Sequence, residues 1–221
     1  MKAMILAAGY GTRLKPLTDY LPKPLIMYKS KPMICYQIDF LKKAGADEII
    51  VNTHHLSDMM ENFFSENDFG IPIKLIHERI ILGTGGGIIN AKEFLVKSDY
   101  CIVVNTDIIT NFNPSDIING HQSSERDVTL LIQKRNSKKY LSFDTEMNFL
   151  GRYSDGSDNA IPYAFNGIHV ISKNFFNIVS NDGFADIIDL YVQNKNRLNI
   201  KGYDAGGSKF IDIGKIENPE L

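Results

Sequence analysis

Between residues 7 and 17 the chain reads AAGYGTRLKPL, directly after an apolar run. In such a turn Gly9 and Gly11 let the backbone approach a ligand closely and leave N–H groups pointing outward as an anion nest. Arg13 adds a fixed cation whose planar fork matches phosphate oxygens two at a time. The chemistry this implies is the holding of a polyphosphate; a strand-to-helix turn with no ligand is the plain alternative. Two common phosphate-binding patterns do not fit. A dinucleotide fingerprint requires a third glycine where Leu14 stands and a helix at once, yet Pro16 breaks one. A P-loop requires Gly-Lys-Ser/Thr, which this segment lacks.

Ten residues after Arg13 stands Lys23, inside LPKPL. Its proline neighbours restrict the backbone and present the ammonium from a stiff segment, as a second phosphate contact or as a solvated turn residue. Residues 82–88, LGTGGGI, place three consecutive glycines at a helix start, combining close backbone approach with the positive helix end. Asn105, Thr106 and Asp107 end a strand at the carboxyl edge, where α/β sheets bind ligands. On its own, an aspartate such as Asp107 at that place reads as a helix cap. Residues 210–214 read FIDIG. On an extended strand Asp212 points away from Ile211 and Ile213, and a buried carboxylate without partners is costly, so a polar site should receive it. His54 and His55 follow a strand without the spacing of a metal site; packing or supporting roles are expected.

GYGTRLKPLT followed by LPKPL resembles the signature of the sugar-1-phosphate nucleotidyltransferases (sugar-nucleotide pyrophosphorylases), commonly GxGTRxxPLT…PKP. The resemblance extends from Met1 to about Glu217 and implies a Rossmann-like α/β sheet with a sugar pocket inserted in the second half. It implies that the loop from Ala8 and Gly9 through Gly11 and Thr12, with Arg13, holds the triphosphate, and that Lys23 contacts phosphates near the reacting centre. Gly85 and Gly86 match a segment lying against the nucleobase. GGG followed by Ile is similar to the branch of N-acetylmuramate-1-phosphate uridylyltransferases and close to heptose-1-phosphate guanylyltransferases. UTP is therefore the first expectation, with GTP or dTTP as alternatives. Asp107 matches the family's Mg²⁺ aspartate, with Thr106 replacing a smaller residue. Asp212 matches a second metal ligand in W-x-D-x-G, with Phe210 in place of Trp. Asn105, and Asn166 with Gly167 in AFNGIHVI, match positions facing the sugar. Many relatives carry Glu-Lys-Pro before that segment, and its lysine contacts the sugar phosphate. Here residues 150–163 offer Arg152 as their only cation, so that contact has no assigned residue.

The activity implied is transfer of a nucleotidyl group from an NTP to a sugar 1-phosphate, with Mg²⁺ as cofactor and pyrophosphate released. The alternatives are a CTP-dependent cytidylyltransferase of a non-sugar alcohol phosphate such as phosphocholine, a glycosyltransferase reading NTD as a loose DxD, and a nucleotide sensor without turnover.

These residues must be positioned by alternating elements. Strands are predicted at residues 2–7, 48–52, 73–77, 100–105 and 128–133, and helices at 33–44, 57–64 (capped by Ser57), 85–96 and 114–123. That order predicts a mostly parallel sheet with helices on both faces. Residues 140–144 and 148–153 read as an antiparallel pair, and residues 152–159 as a polar loop. A strand at 164–171, helices at 173–179 and 185–193, strands at 198–203 and 210–213 and a brief terminal helix follow. One domain spanning residues 1–221 is expected, too short for the β-helix domain that larger relatives append.

The formal charge of -2 offers no general attraction to nucleic acid, so anion binding must be local. Cys35 and Cys101 both lie in apolar runs, as free thiols in a reducing cytoplasm would. No apolar run approaches the roughly 20 residues of a membrane-spanning helix. A soluble cytoplasmic protein, monomer or homo-oligomer alike, is the expectation.

Overall fold

The computed structural model describes residues 1–123, 125–154 and 160–214. β1 (Lys2–Leu6) leads into the glycine loop, and β2 (Met27–Tyr28) and β3 (Lys31–Pro32) form a short hairpin. α1 (Met33–Lys43), β4 (Glu48–Thr53), α2 (Ser57–Glu66) and β5 (Ile73–His77) then alternate. Next come α3 (Gly83–Asn90), α4 (Lys92–Leu95), β6 (Tyr100–Asn105), β7 (Ile108–Thr110), α5 (Pro114–Gln122) and β8 (Val128–Gln133). The remainder holds β9 (Leu141–Phe143), β10 (Phe149–Arg152), β11 (Ile161–Ser172), α6 (Phe175–Ile178), α7 (Ile187–Asn194), β12 (Ile200–Asp204) and β13 (Phe210–Asp212).

β6, β1, β4 and β5 are parallel neighbours in that order, as the strand–helix alternation implies. β8 runs the same way but is not beside β6. The twelve-residue β11 lies antiparallel between them, and β12 pairs parallel to β8. β9 and β10 continue the sheet beyond the start of β11 as the expected antiparallel insertion. Among the described residues, seven of the nine strands in this sheet run in one direction, giving a mostly parallel, Rossmann-like α/β fold.

Alternation along the central strands supplies both faces of the sheet. Met4, Ile50, Cys101 and Val103 join one core cluster with Ile88, Leu95 and Tyr191. Ala3, Ile5, Ile49, Val51, Ile102 and Val104 join the opposite one with Ile34, Ile38 and Ile117. Successive side chains of a strand point to opposite faces, so apolar runs such as CIVV are buried on both. A third, smaller cluster of Leu14, Ile26, Tyr28, Met33 and Ile213 lies beneath the glycine loop. Full burial of Leu14 contributes about 1.5–3 kcal/mol to holding that loop in place.

Several expectations are adjusted. The helix predicted from residue 85 begins at Gly83 and breaks at Ala91 into α3 and α4. Ser57 starts α2 without capping it; Leu56, with φ 52°, is the cap residue. α7 begins two residues later than predicted, where Asp186 caps it through the Ile188 N–H. β7, which sequence periodicity missed, pairs antiparallel with β13. The predicted terminal helix lies outside the described residues, as does part of the polar loop at 152–159. No helix among the described residues is long and apolar enough to cross a membrane.

Two buried imidazoles make stability depend on pH. His169 meets the Tyr191 hydroxyl at 2.6 Å, and burial pushes it down from 6.5 to about 3. His121 meets Thr129 Oγ1 at 2.9 Å and is pushed down to about 4, by burial first and by the Arg126 guanidinium second. Both are neutral when folded, and the unfolded chain binds more protons between those values and 6.5. Their stabilisation is therefore complete above pH 6.5 and is lost as pH falls. Urea unfolding at pH 7 and pH 5 should differ by about 2 kcal/mol per group, and His169→Gln should remove about half of that difference.

Candidate active site

The carboxyl ends of β1, β4 and β6 open onto a cleft of about 200 Å³, lined by Ala7, Ala8, Gly9, Lys23, Pro24, Asn52, Ile81, Gly83, Thr84, Asn105, Thr106 and Asp107. The glycine loop forms one wall. Gly11 is left-handed (φ 63°), and a Cβ there would stand 2.7 Å from Thr18 Cγ2, so only glycine fits the turn. The loop is tied down at both ends. Ala7 N–H donates to Asn52 Oδ1 at 2.8 Å, and the Thr18 hydroxyl donates to Gly11 O at 3.1 Å. His55 Nε2 in turn donates to Thr18 O at 2.6 Å. His54 donates from Nδ1 to Glu78 O at 2.7 Å and accepts from Tyr10 Oη at 3.0 Å through Nε2. Both histidines thus support the loop, in keeping with the expectation from sequence.

Charge gathers at one end of this cleft. Lys23 lies in a 3-10 turn (Lys23–Leu25) entered from the extended Pro22, and its Nζ donates to Asp107 Oδ2 at 2.5 Å. Arg13 reaches the same oxygen at 3.5 Å and Asp212 Oδ2 at 3.8 Å. Asp107 is held from below. Gln37 Nε2 donates to the flanking carbonyls of Thr106 and Ile108 at 3.2 and 2.5 Å, and the Thr106 hydroxyl donates to Leu6 O at 2.6 Å. Asp212 arrives from the far end of the chain through β13, which pairs with β7 so that Asp212 faces Ile108. Ile213 is fully buried under the glycine loop and donates its N–H to Asp107 O at 3.0 Å, leaving Asp212 turned out towards the charged group.

Gly214 marks the centre of that group. A Cβ on it would stand 2.8 Å from each of Arg13 Nη2, Asp107 Oδ2 and Asp212 Oδ1. Two carboxylates therefore converge on a cradle that any larger residue would fill. Among the described residues no cluster of three or more His, Cys, Asp or Glu forms a cage for a metal. A pair of carboxylates suits an ion that keeps water and substrate phosphates as its other ligands, as Mg²⁺ does.

Gly85 and Gly86 are placed differently from the expectation. Both are buried, and both N–H groups point at Ala185 O, at 2.8 and 3.3 Å. A Cβ on Gly86 would stand 2.4 Å from Gly183 O, so these glycines admit the backbone before α7. The residues of this segment that line the cleft are Ile81, Gly83 and Thr84. The segment is held by buried Glu78, whose carboxylate accepts from Asn52 Nδ2 at 2.7 Å and Leu82 N–H at 2.9 Å. Sequence reasoning missed the Ala7–Asn52–Glu78–Leu82 chain. Its available signal was the polar Asn52 near the end of β4 and an acid, Glu78, immediately after β5.

On the other flank, Gly167 (φ 72°) leaves room for Asn105, whose Nδ2 would be 2.7 Å from a Cβ there. The neighbouring Asn166 is buried, so its amide is not open to solvent. Thr12 is exposed at the start of the 3-10 turn carrying Arg13. Arg152, the cation of the insertion, is engaged by Asp189 at 2.7 Å and Asp186 at 3.5 Å.

Comparison with known proteins settles the family. The model of the nucleotidyl transferase family matches residues 2–143. The chain belongs to that family. It is 34% identical over 179 residues to mannose-1-phosphate guanyltransferase beta-A of Xenopus laevis, covering 78% of this chain and 50% of that protein. It is 39% identical over 137 residues to the mannose-1-phosphate guanylyltransferase catalytic subunit beta of Danio rerio, covering 61% and 38%. The chain thus spans half or less of the length of these relatives. Among solved structures, HddC from Yersinia pseudotuberculosis complexed with GMP-PN superposes with TM-score 0.78 at 25% identity, over 98% of this chain and 95% of that one. UDP-glucose pyrophosphorylase from Acinetobacter baumannii superposes with TM-score 0.82 over 97% and 88%, and its 17% identity speaks to the fold alone.

Proposed function

We propose that this protein transfers a nucleotidyl group from an NTP to a sugar 1-phosphate, giving an NDP-sugar and pyrophosphate. The observation that carries the reading is the convergence of Lys23, Arg13, Asp107 and Asp212 around Gly214 at the end of the glycine-loop cleft. In this reading the loop from Ala8 to Thr12 holds the triphosphate and Arg13 neutralises the departing pyrophosphate. Lys23, short of solvent, stays beside the α-phosphate as charge develops. Gly83 and Thr84 border the base, while Asn105, Asn166 and Gly167 border the sugar. Asp107 and Asp212 would hold Mg²⁺, which when bound would supply positive charge to offset that of the phosphates.

An oxygen of the sugar phosphate attacks the α-phosphorus as the bond to the β-phosphate oxygen breaks. Both reactants are anions, so the contribution of the site is alignment and charge neutralisation rather than proton transfer. The described residues act as one catalytic unit in this reading, because the second half of the chain completes the sheet begun by the first. The free thiols of Cys35 and Cys101 suit a cytoplasmic location.

The names of the curated relatives favour GTP as donor and mannose 1-phosphate as acceptor, ahead of the UTP expected from the GGG segment and against phosphocholine. The test is pyrophosphate release with Mg²⁺, pairing GTP, UTP, dTTP, ATP and CTP with a panel of sugar 1-phosphates and phosphocholine. Release that requires one NTP together with one sugar 1-phosphate is the expected result. Release with phosphocholine and CTP alone would overturn it in favour of a cytidylyltransferase.

A further inference from the structure

We propose that Arg135 is the residue that receives the phosphate of the sugar 1-phosphate, a position that neither the motifs nor the comparisons assign. The proposal rests on the reading of function above. A sugar 1-phosphate brings its own anionic group to the site, and Lys23 and Arg13 are already turned onto Asp107 and Asp212. A further cation is required on the sugar side of the cleft. The insertion's Arg152 is held by two carboxylates, and Lys134 Nζ lies over the Tyr163 ring, 5.5 Å from its centroid.

Arg135 differs from both. It follows β8, whose carboxyl end opens on the same edge of the sheet as that of β6, with β11 between the two. Its Nε donates to Asn166 Oδ1 at 2.9 Å and its Nη2 to Phe165 O at 3.2 Å, with Nη1 3.5 Å from Asn136 O. All three partners are neutral, and among the described residues no carboxylate pairs with this guanidinium. It is thus a cation held in orientation with its charge unanswered, and a guanidinium so held is matched to a phosphate.

Asn166 supplies the second observation. It is only 1% exposed, and its Nδ2 has no hydrogen-bond partner. A buried amide nitrogen left without an acceptor is costly, and natural structures rarely leave one so. The register between β11 and β8 shifts between Phe165 and His169, and such irregularities re-aim side chains beside active sites. The next residue, Gly167, packs on Asn105, which lines the cleft. Asn105, Gly167, Asn166 and Arg135 therefore form a continuous path from the cleft across β11. Adjacent strands lie only about 4.8 Å apart, so the arginine stands within reach of an acceptor lying over β11. The side-chain oxygen of Asn166 orients Arg135, and its unpartnered Nδ2 marks a missing acceptor beside that guanidinium.

The test compares steady-state kinetics of the unmodified protein with Arg135→Met and Arg135→Lys, using the NTP and sugar 1-phosphate identified by the panel. Losing one charge-assisted hydrogen bond should raise the KM for the sugar 1-phosphate about 10- to 100-fold in Arg135→Met. The KM for the NTP should change less than about twofold, and Arg135→Lys should recover part of the loss by restoring charge without the fork. An unchanged sugar 1-phosphate KM in Arg135→Met would overturn the proposal. So would an equal rise in both KM values, the mark of a general structural role. Should Arg135→Met fail to fold by circular dichroism, Arg135→Gln replaces it with the same expectation. If the unmodified protein turns over no sugar 1-phosphate, the reading of function itself falls, and this assignment with it.

Discussion

Replacing Asp107 by Asn lowers turnover by at least about 10³-fold while the protein remains folded. Asp107 is the shared partner in the charged group: Lys23 reaches it at 2.5 Å, Arg13 at 3.5 Å, and the Gly214 cradle opens onto the same oxygen. Asparagine preserves shape and one acceptor oxygen, so Lys23 keeps a hydrogen bond. What disappears is the negative charge on the buried side of the cradle, and with it half of the proposed metal seat. The structural cost is limited to weakening the charged contacts with Lys23 and Arg13, about 1–3 kcal/mol. The anchors of this segment are main-chain and side-chain bonds from Gln37 and Thr106 that do not involve the carboxylate. The checks are pyrophosphate release under saturating Mg²⁺ and a urea melt of the same preparation. Near-normal release by Asp107→Asn would remove this residue from the mechanism.

Replacing Gly214 by Ala separates activity from stability in a different way. The added Cβ would stand 2.8 Å from Arg13 Nη2, Asp107 Oδ2 and Asp212 Oδ1, closer than such contacts allow. All three atoms end flexible side chains, so they can retreat without moving the backbone, and stability should change by less than about 1 kcal/mol. Retreat is nevertheless what the site cannot absorb, because the added methyl occupies the point on which the two carboxylates converge. Misplacement of about 1 Å costs on the order of 10²-fold in rate, and we expect a loss of that size in kcat. Proposed Mg²⁺ binding should weaken in step, so the Mg²⁺ concentration giving half-maximal activity should rise. An alanine variant with normal kcat and normal Mg²⁺ dependence would show that the cradle is not where the chemistry takes place.

Much of the molecule was legible in the residues alone. Apolar runs of strand length separated by helical periods led to the parallel centre β6-β1-β4-β5, because side-chain periodicity is a local property. The residue types of the charged group were also open to reading, since GYGTR, PKP and FIDIG each place a charge near a glycine or proline and NTD places one just past a strand end. Their mutual placement was not. Asp107 and Asp212 meet only because β7 pairs with β13, and a three-residue strand carries too little periodicity to announce itself. The surroundings of the glycines in LGTGGGI were not legible for a related reason. Glycine at a helix start looks the same whether a ligand or another stretch of chain approaches it, and here the backbone at 183–185 does so. Insertion of β11 between β6 and β8 likewise follows from long-range pairing, and it is what brings Asn166 and Arg135 to the edge of the site. Local composition thus determined the elements and the kinds of charge this protein carries. Contacts between residues distant in sequence decided which charges meet, because a site is built from strand ends that only the folded sheet brings side by side.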